Sequence, residues 1–355
     1  MALDLLAHLR ELCAAPGLSG HENPVRDLLR TAWAPLTDEL KVDALGSLWA
    51  IQNGTSKTPR PKLMLAAHMD AIGLMVTQVE GEFLRITEIG GMDARVMPGQ
   101  LVTVHTVKGD LPGVVAQPPS FLLPKANREG VVPLSELLVD TGLTAADVAR
   151  QVQIGDLISF AQAPRELQNG NFSAKSLDNR ASVAALTVCL EALRERVHAW
   201  DVVAVATVQE EEGLIGARTA AFALHPDLAI AIDVTFGDGP NVKEFAHRTN
   251  KLGGGPVIGF GPNIHPAMQA ALCATADRLE MPYAVEVMPA HSGTDAFAIQ
   301  IAREGLPTAV VSLALRNMHT PVEMIALKDV SRVGRLLAEF AAGLTPDYLS
   351  TLTFD

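Results

Sequence analysis

From residue 181 to the C-terminus, short, mainly apolar runs alternate with longer stretches of helical period, and that alternation leaves few possible architectures. The runs are VVAVATV, LAIAIDV, AVEVM and TAVVSLAL. Around them stand ASVAALTVCLEALRERV, ARTAAFAL, HPAMQAALCATADRLE, GTDAFAIQIARE and DVSRVGRLLAEFAAGL. A strand apolar on both faces has to be covered on both, and helices with one apolar stripe are suited to cover it. The pattern predicts an α/β fold, a mostly parallel sheet flanked by helices. Hydrophobic residues are 48% of the 355, ample for such a core, but aromatics are only 5%, so Ala, Val and Leu must do most of the packing.

Upstream, residues 2–14 place Leu5, Leu6, Leu9 and Leu12 at helical spacing, and Pro16-Gly17 ends that helix. A second helix follows Pro24, with Val25, Leu28, Leu29 and Trp33. Strands come next in VDALGSLWAIQ and PKLMLAAH, with a turn expected at Asn53-Gly54. The segment 72–163 is different in kind. Turn signals recur at Glu80-Gly81, Gly90-Gly91, Pro98-Gly99 and Lys108-Gly109-Asp110, and VTVHTV and GVVA flank the last as a hairpin. With one helix in AADVARQV and a strand in DLISFA, it reads as a small β-rich domain inserted into a body made of 1–71 and 164–355.

Several function classes drop out. The formal net charge is −12, so phosphate backbones are repelled and nucleic acid is not an expected partner. Asp4, Arg10 and Glu11 interrupt the N-terminal apolar stretch, which excludes a signal-peptide core. No apolar run approaches the ~20 residues of a membrane span. The expectation is a soluble, cytoplasmic protein. Cys13, Cys189 and Cys273 are far apart and show no paired spacing, so they are read as small core residues rather than disulfide or zinc ligands.

The chemistry lies where polar residues follow apolar strands. LMLAAH ends in His68; Glu210, Glu211 and Glu212 follow VVAVATVQ; Asp233 follows LAIAI; His319 follows AVVSLALRNM; Asp178, in SLDNR, stands at the mouth of a helix. Ligands of open α/β sheets bind beyond the carboxyl ends of the strands, so these groups are expected to meet. Singly, each has a structural explanation, since strand-end aspartates cap helices and a triple Glu is usually a solvated face. Together, two imidazoles and several carboxylates make an N/O donor set suited to Zn²⁺, Co²⁺ or Mn²⁺. His68, Asp178, Glu211, Asp233 and His319 suffice for two ions if one carboxylate bridges, which leaves Glu210 as a candidate general base. If that stretch is extended, Glu210 and Glu211 point to opposite sides. Asp70 shares a face with His68 if the backbone is extended there, and is a candidate to orient the imidazole; the competing reading is a helix cap. His105, His225, His247, His265 and His291 lack such strand-end company and are read as structural or surface residues.

These segments resemble, in order, the metallo-aminopeptidase family of glutamyl aminopeptidase and the tetrahedral (TET) aminopeptidases, some members of which carry cellulase or endoglucanase names. The likeness runs through GLSGHENPVRDLL, AAHMDAIGLMV, SLDNRASVAAL, TVQEEEGLIGA, AIDVTFGDGP, GTDAFAIQIAREGLPTAVVS and LRNMHTPVEMI. It departs at Asn317 and at Glu212, where relatives often have other residues, and at His291 and Ser292, which precede the shared Gly-Thr-Asp. The resemblance implies a zinc-exopeptidase-like fold and an aminopeptidase acting on short peptides, with two divalent ions, Zn²⁺ or alternatively Co²⁺ or Mn²⁺. It implies that His68 and Asp233 hold one ion, Glu211 and His319 the other, and that Asp178 bridges. Glu210 then activates a water between the ions, with Asp70 behind His68. It also implies a homo-oligomer, a tetrahedral dodecamer in the TET members, to whose assembly and access the insert contributes. The alternative is another two-zinc amidohydrolase, a carboxypeptidase or N-acyl-amino-acid deacylase.

Overall fold

The computed structural model describes residues 3–123, 125, 130–240 and 249–352. Ala2, at the start of the first expected helix, and His247 lie outside them, as do five positions of the insert. Helix α1 (Leu5–Ala14) is capped by Asp4, which accepts the Ala7 N–H, and it buries His8, Leu9, Leu12 and Cys13. Helix α2 (Asn23–Trp33) has Pro24 in its first turn, where a missing N–H costs nothing, and buries Val25, Leu29 and Trp33. Strands β1 (Glu39–Val42) and β2 (Leu48–Gln52) form a hairpin, and β3 is Lys62–His68. The hairpin turn falls inside VDALGSLWAIQ, where the Asp43 carboxylate accepts the N–H groups of Leu45, Gly46 and Ser47. Asn53-Gly54 joins no adjacent strands, because β2 and β3 do not pair with each other.

Strands β4 (Gly73–Glu80), β5 (Phe83–Ile89), β6 (Leu101–Thr106), β7 (Gly109–Ala116), β8 (Leu138–Asp140) and β9 (Leu157–Phe160) close an antiparallel barrel in the order β4-β5-β8-β7-β6-β9. Helix α3 (Ala145–Gln151) precedes β9. Closure leaves no open edge and gives the segment its own core, with Leu74, Val104, Val139 and Ile158 among its members.

The chain then runs through β10 (Arg165–Glu166), β11 (Asn171–Ala174), α4 (Leu177–Arg194), β12 (Asp201–Thr207), α5 (Ile215–Leu224), β13 (Leu228–Phe236) and β14 (Val257–Phe260). It ends with α6 (Pro266–Arg278), β15 (Ala284–Val287), α7 (Asp295–Gln300), β16 (Thr308–Leu315), β17 (Glu323–Ala326) and α8 (Leu327–Gly343). The large sheet has the order β1-β2-β12-β3-β13-β16-β14-β15. Its centre, β12-β3-β13-β16, is parallel; β2 and β14 flank it antiparallel. β10, β11 and β17 make a separate three-stranded sheet; these three and β14 were not anticipated.

Alternation along β3 divides the core. Leu63, Leu65 and Ala67 face the layer containing α1, α2, α4, α6 and α8, whereas Met64 and Ala66 face α5 and α7. With few aromatics available, close approach does the packing. A Cβ on Gly334 of α8 would lie 2.6 Å from the Ala185 carbonyl oxygen of α4. Cys13 and Cys189 are buried as expected; Cys273 is only half-buried. Among the described residues, no helix is long and apolar enough to cross a membrane.

Candidate metal centre

The four parallel strands run the same way, so their carboxyl ends open on one side, and the polar residues meet there. His68 is the last residue of β3, and Asp233 lies within β13, which continues to Phe236. Glu210 and Glu211 follow β12, and His319 follows β16. Asp178 sits in the first turn of α4, where its own backbone departs from helix (φ −75°, ψ 101°). His68 Nε2 is 3.1 Å from Asp178 Oδ1, 3.8 Å from Glu210 Oε2 and 3.9 Å from Asp233 Oδ1. His319 Nε2 is 3.3 Å from Asp178 Oδ2 and 3.6 Å from Glu211 Oε2. The two oxygens of one carboxylate thus face two different imidazoles.

The expectation that Glu210 and Glu211 point to opposite sides is not met. The stretch is a turn, not a strand; Gln209 is left-handed (φ 54°), and both carboxylates face the cluster. His319 is also left-handed (φ 58°), a conformation that costs a non-glycine residue about 1–3 kcal/mol and must be held by its surroundings.

Asp70 is fully buried and joins the two halves of the centre. Its Oδ1 is 3.4 Å from His68 Nδ1 and accepts the Glu210 N–H, and its Oδ2 accepts the Ser19 hydroxyl and the Glu211 N–H. Burial pushes the carboxyl up, but the bond and charge of His68, with the other donors, outweigh it and hold Asp70 below its usual range.

Three contributors were not legible in the sequence. Glu323, buried at the start of β17, accepts the N–H of Asp178 at 3.0 Å and that of His319 at 2.9 Å, and so fixes both ends of the cluster and the left-handed histidine. Arg180, fully buried, donates to the carbonyls of Leu12, Ala15, Gly17 and Met69, tying the N-terminal segment to the loop after His68. Asp295, also buried, accepts the Thr207 hydroxyl at 2.6 Å, and burial pushes it up to about 6. LRNMHTPVEMI, SLDNR and GTDAF contain these residues, but no local pattern marks what each reaches across the fold.

The donor set fits divalent cations. His68, Asp178 and Asp233 offer atoms within 4.8 Å of one another, as do Asp178, Glu211 and His319. Among the described residues no Lys or Arg pairs with Asp178, Glu210, Glu211 or Asp233, and the buried Oε1 of Glu211 has no hydrogen-bond partner. Burial pushes Glu210 up to about 10 and Glu211 up to about 7, and neighbouring carboxylates add to both. Burial likewise raises Asp233. The Asp178 hydrogen bond lifts His319 to about 9. Despite burial, the two imidazoles hold Asp178 low, but they do not offset burial at Glu210, Glu211 and Asp233, a deficit that a pair of dications would neutralise.

A cavity of about 570 Å³ opens over the cluster, walled by Phe236, Met288, His291 and Met318. That volume suits a ligand of a few residues. His291 thus belongs to the wall, with its ring 5.2 Å from that of Phe297. Of the other histidines, His105 bonds Asp110 and Ser159 in the barrel, and His225 and His265 cap α5 and α6.

The profile of the M42 glutamyl aminopeptidases matches residues 46–336. A lysyl aminopeptidase of Pyrococcus furiosus is 37% identical over 95% of this chain and 97% of its own. The TET aminopeptidase of a marine-sediment Thaumarchaeota archaeon superposes with a TM-score of 0.92 at 29% identity, covering 98% of this chain and 99% of its own. The TET1 peptidase of Pyrococcus horikoshii, which assembles into a tetrahedron or a large octahedral shell, does so at 0.84 and 28%, covering 96% and 100%.

Proposed function

The chain belongs to the M42 glutamyl aminopeptidase family, a family of peptide hydrolases, and from that premise we propose that it is a dinuclear-metal aminopeptidase trimming the N-termini of short peptides. The observation that carries this reading is Asp178 set between His68 and His319, one oxygen toward each. His68 and Asp233 would hold one ion, Glu211 and His319 the other, and Asp178 would serve both. Zn²⁺ is the proposed metal, with Co²⁺ or Mn²⁺ as alternatives. Bound there, such ions polarise a peptide carbonyl and bring the pKa of water toward ~7.

The protein's own residues position groups and move the proton. Glu210, 3.8 Å from His68 and on the cavity wall, takes a proton from the attacking water and returns it to the leaving amine. Asp70 orients His68 and fixes the backbone of Glu210 and Glu211, so the proton acceptor and a metal ligand are aligned by one carboxylate. The cavity's apolar wall receives the N-terminal side chain. We also propose a homo-oligomer, a tetrahedral dodecamer, in which the 72–163 insert contributes contacts between chains and narrows entry. The likeness to TET1 supports this.

Paired glutamine variants test the mechanism. Glu210→Gln retains both ions and binds peptide, but turnover falls by roughly 10²–10⁴. Glu211→Gln loses one ion. Chelation abolishes wild-type activity, and free peptides are cleaved where N-acetylated ones are not. Near-wild-type turnover in Glu210→Gln, or loss of metal from it, overturns the assignment; cleavage of acetylated substrates favours a deacylase.

A further inference from the structure

The third acid after β12 contributes no donor atom to the cluster. Instead Glu212 Oε1 accepts the Gly90 N–H at 2.8 Å. Gly90 follows β5 of the barrel, so this bond ties the barrel to the loop that carries Glu210 and Glu211. The packing leaves no room for a side chain at Gly90. Gly90 is left-handed (φ 71°); a Cβ there would lie 2.5 Å from Ile72 Cγ2 and 3.4 Å from the Cβ of Glu211. A Cβ on Gly91 would lie 3.7 Å from His319 Nδ1. Two consecutive barrel glycines therefore lie against both members of the Glu211–His319 pair. On the other side, Asp70 holds the Glu211 N–H.

We propose that Glu212 is a positioning residue: by clamping the Gly90–Gly91 turn of the barrel against Glu211 and His319, it fixes the geometry of that ligand pair and couples the barrel to it. This rests on Glu211 and His319 being ligands of one ion. The clamp needs an acceptor at this place, not a charge. A glutamine carbonyl accepts the same N–H, and alanine cannot.

Calorimetric titration of the metal-stripped full-length protein with Co²⁺ tests it, on wild type, Glu212→Gln, Glu212→Ala, Gly90→Ala and the Gly90→Ala/Glu212→Ala double variant. Wild type shows two binding events. Loss of one exposed hydrogen bond is expected to weaken one event in Glu212→Ala by about fivefold and leave the other unchanged. Glu212→Gln restores wild-type binding to within about twofold, because the bond survives. Gly90→Ala strains the left-handed backbone against Ile72 and displaces the N–H that Glu212 accepts, so it weakens the same event, and adding Glu212→Ala to it costs less than Glu212→Ala costs alone. Three results overturn the proposal while leaving the ligand assignment intact: Glu212→Ala binding like wild type, Glu212→Gln as weak as Glu212→Ala, or equal weakening of both events. A wild-type protein that binds no Co²⁺ overturns the ligand assignment itself.

Discussion

Replacing Asp70 with asparagine removes one oxygen from a carboxylate that serves four groups. Oδ1 is 3.1 Å from the Glu210 nitrogen and 3.4 Å from His68 Nδ1; Oδ2 is 2.5 Å from the Ser19 hydroxyl and 3.2 Å from the Glu211 nitrogen. If the new NH₂ takes the Oδ1 position, it opposes the Glu210 N–H and abandons His68. If it takes the Oδ2 position, the Ser19 hydroxyl can turn to accept, and only the Glu211 N–H is stranded. The second arrangement is cheaper. It forfeits one partly buried backbone bond to an ionised acceptor and the charge beside His68, together about 2–3 kcal/mol. At 1.4 kcal/mol per decade, kcat/KM is expected to fall roughly 30- to 150-fold. The assay is steady-state hydrolysis of aminoacyl p-nitroanilides by metal-replete protein, with thermal melting to show that the fold persists. A folded Asp70→Asn enzyme within about threefold of wild type refutes the reasoning, because the carboxylate would then not be organising the loop.

Asp178→Ala is expected to lose more metal than Asp70→Ala, since one serves both ions and the other orients a ligand; equal contents by elemental analysis would show the roles to be misassigned. His8, buried against Thr187 with its pKa lowered to about 4 by burial, stays neutral in the fold. Below its ordinary 6.5 the unfolded chain binds a proton that the folded chain declines, so stability falls as pH drops from about 6.5 to 4 and then levels. Between pH 7 and 5 this is about 2 kcal/mol, which urea titrations of His8→Leu should remove from the wild-type slope; an unchanged slope contradicts it. Light scattering should find an oligomer, and a monomer at micromolar concentration contradicts the assembly.

The sequence by itself determined the four central parallel strands and the helices that cover them, though not β14, and which polar residues follow those apolar runs. Both are local properties. Apolar runs such as VVAVATV and TAVVSLAL must be buried on both faces, and a residue that ends such a run must emerge at the sheet's rim. Since parallel strands present the same end to the same side, His68, Glu210, Glu211 and His319 had to approach one another, whereas Asp233 joins them from within β13, which continues to Phe236.

Only the tertiary structure decided how they are held. That β12 inserts between β2 and β3, and that six short strands close into a barrel, are pairings between residues far apart in the chain, about which each strand's own pattern is silent. The left-handed Gln209 turned Glu210 and Glu211 to the same side, which period-two reasoning from an extended chain could not anticipate. Glu323 reads locally as one more acid near a strand. Its role follows from burial beside the N–H groups of Asp178 and His319, one of them 145 residues away in sequence. A hydrogen bond's value depends on which partner the fold leaves without water, and that is set by packing across the molecule, not by neighbours along the chain.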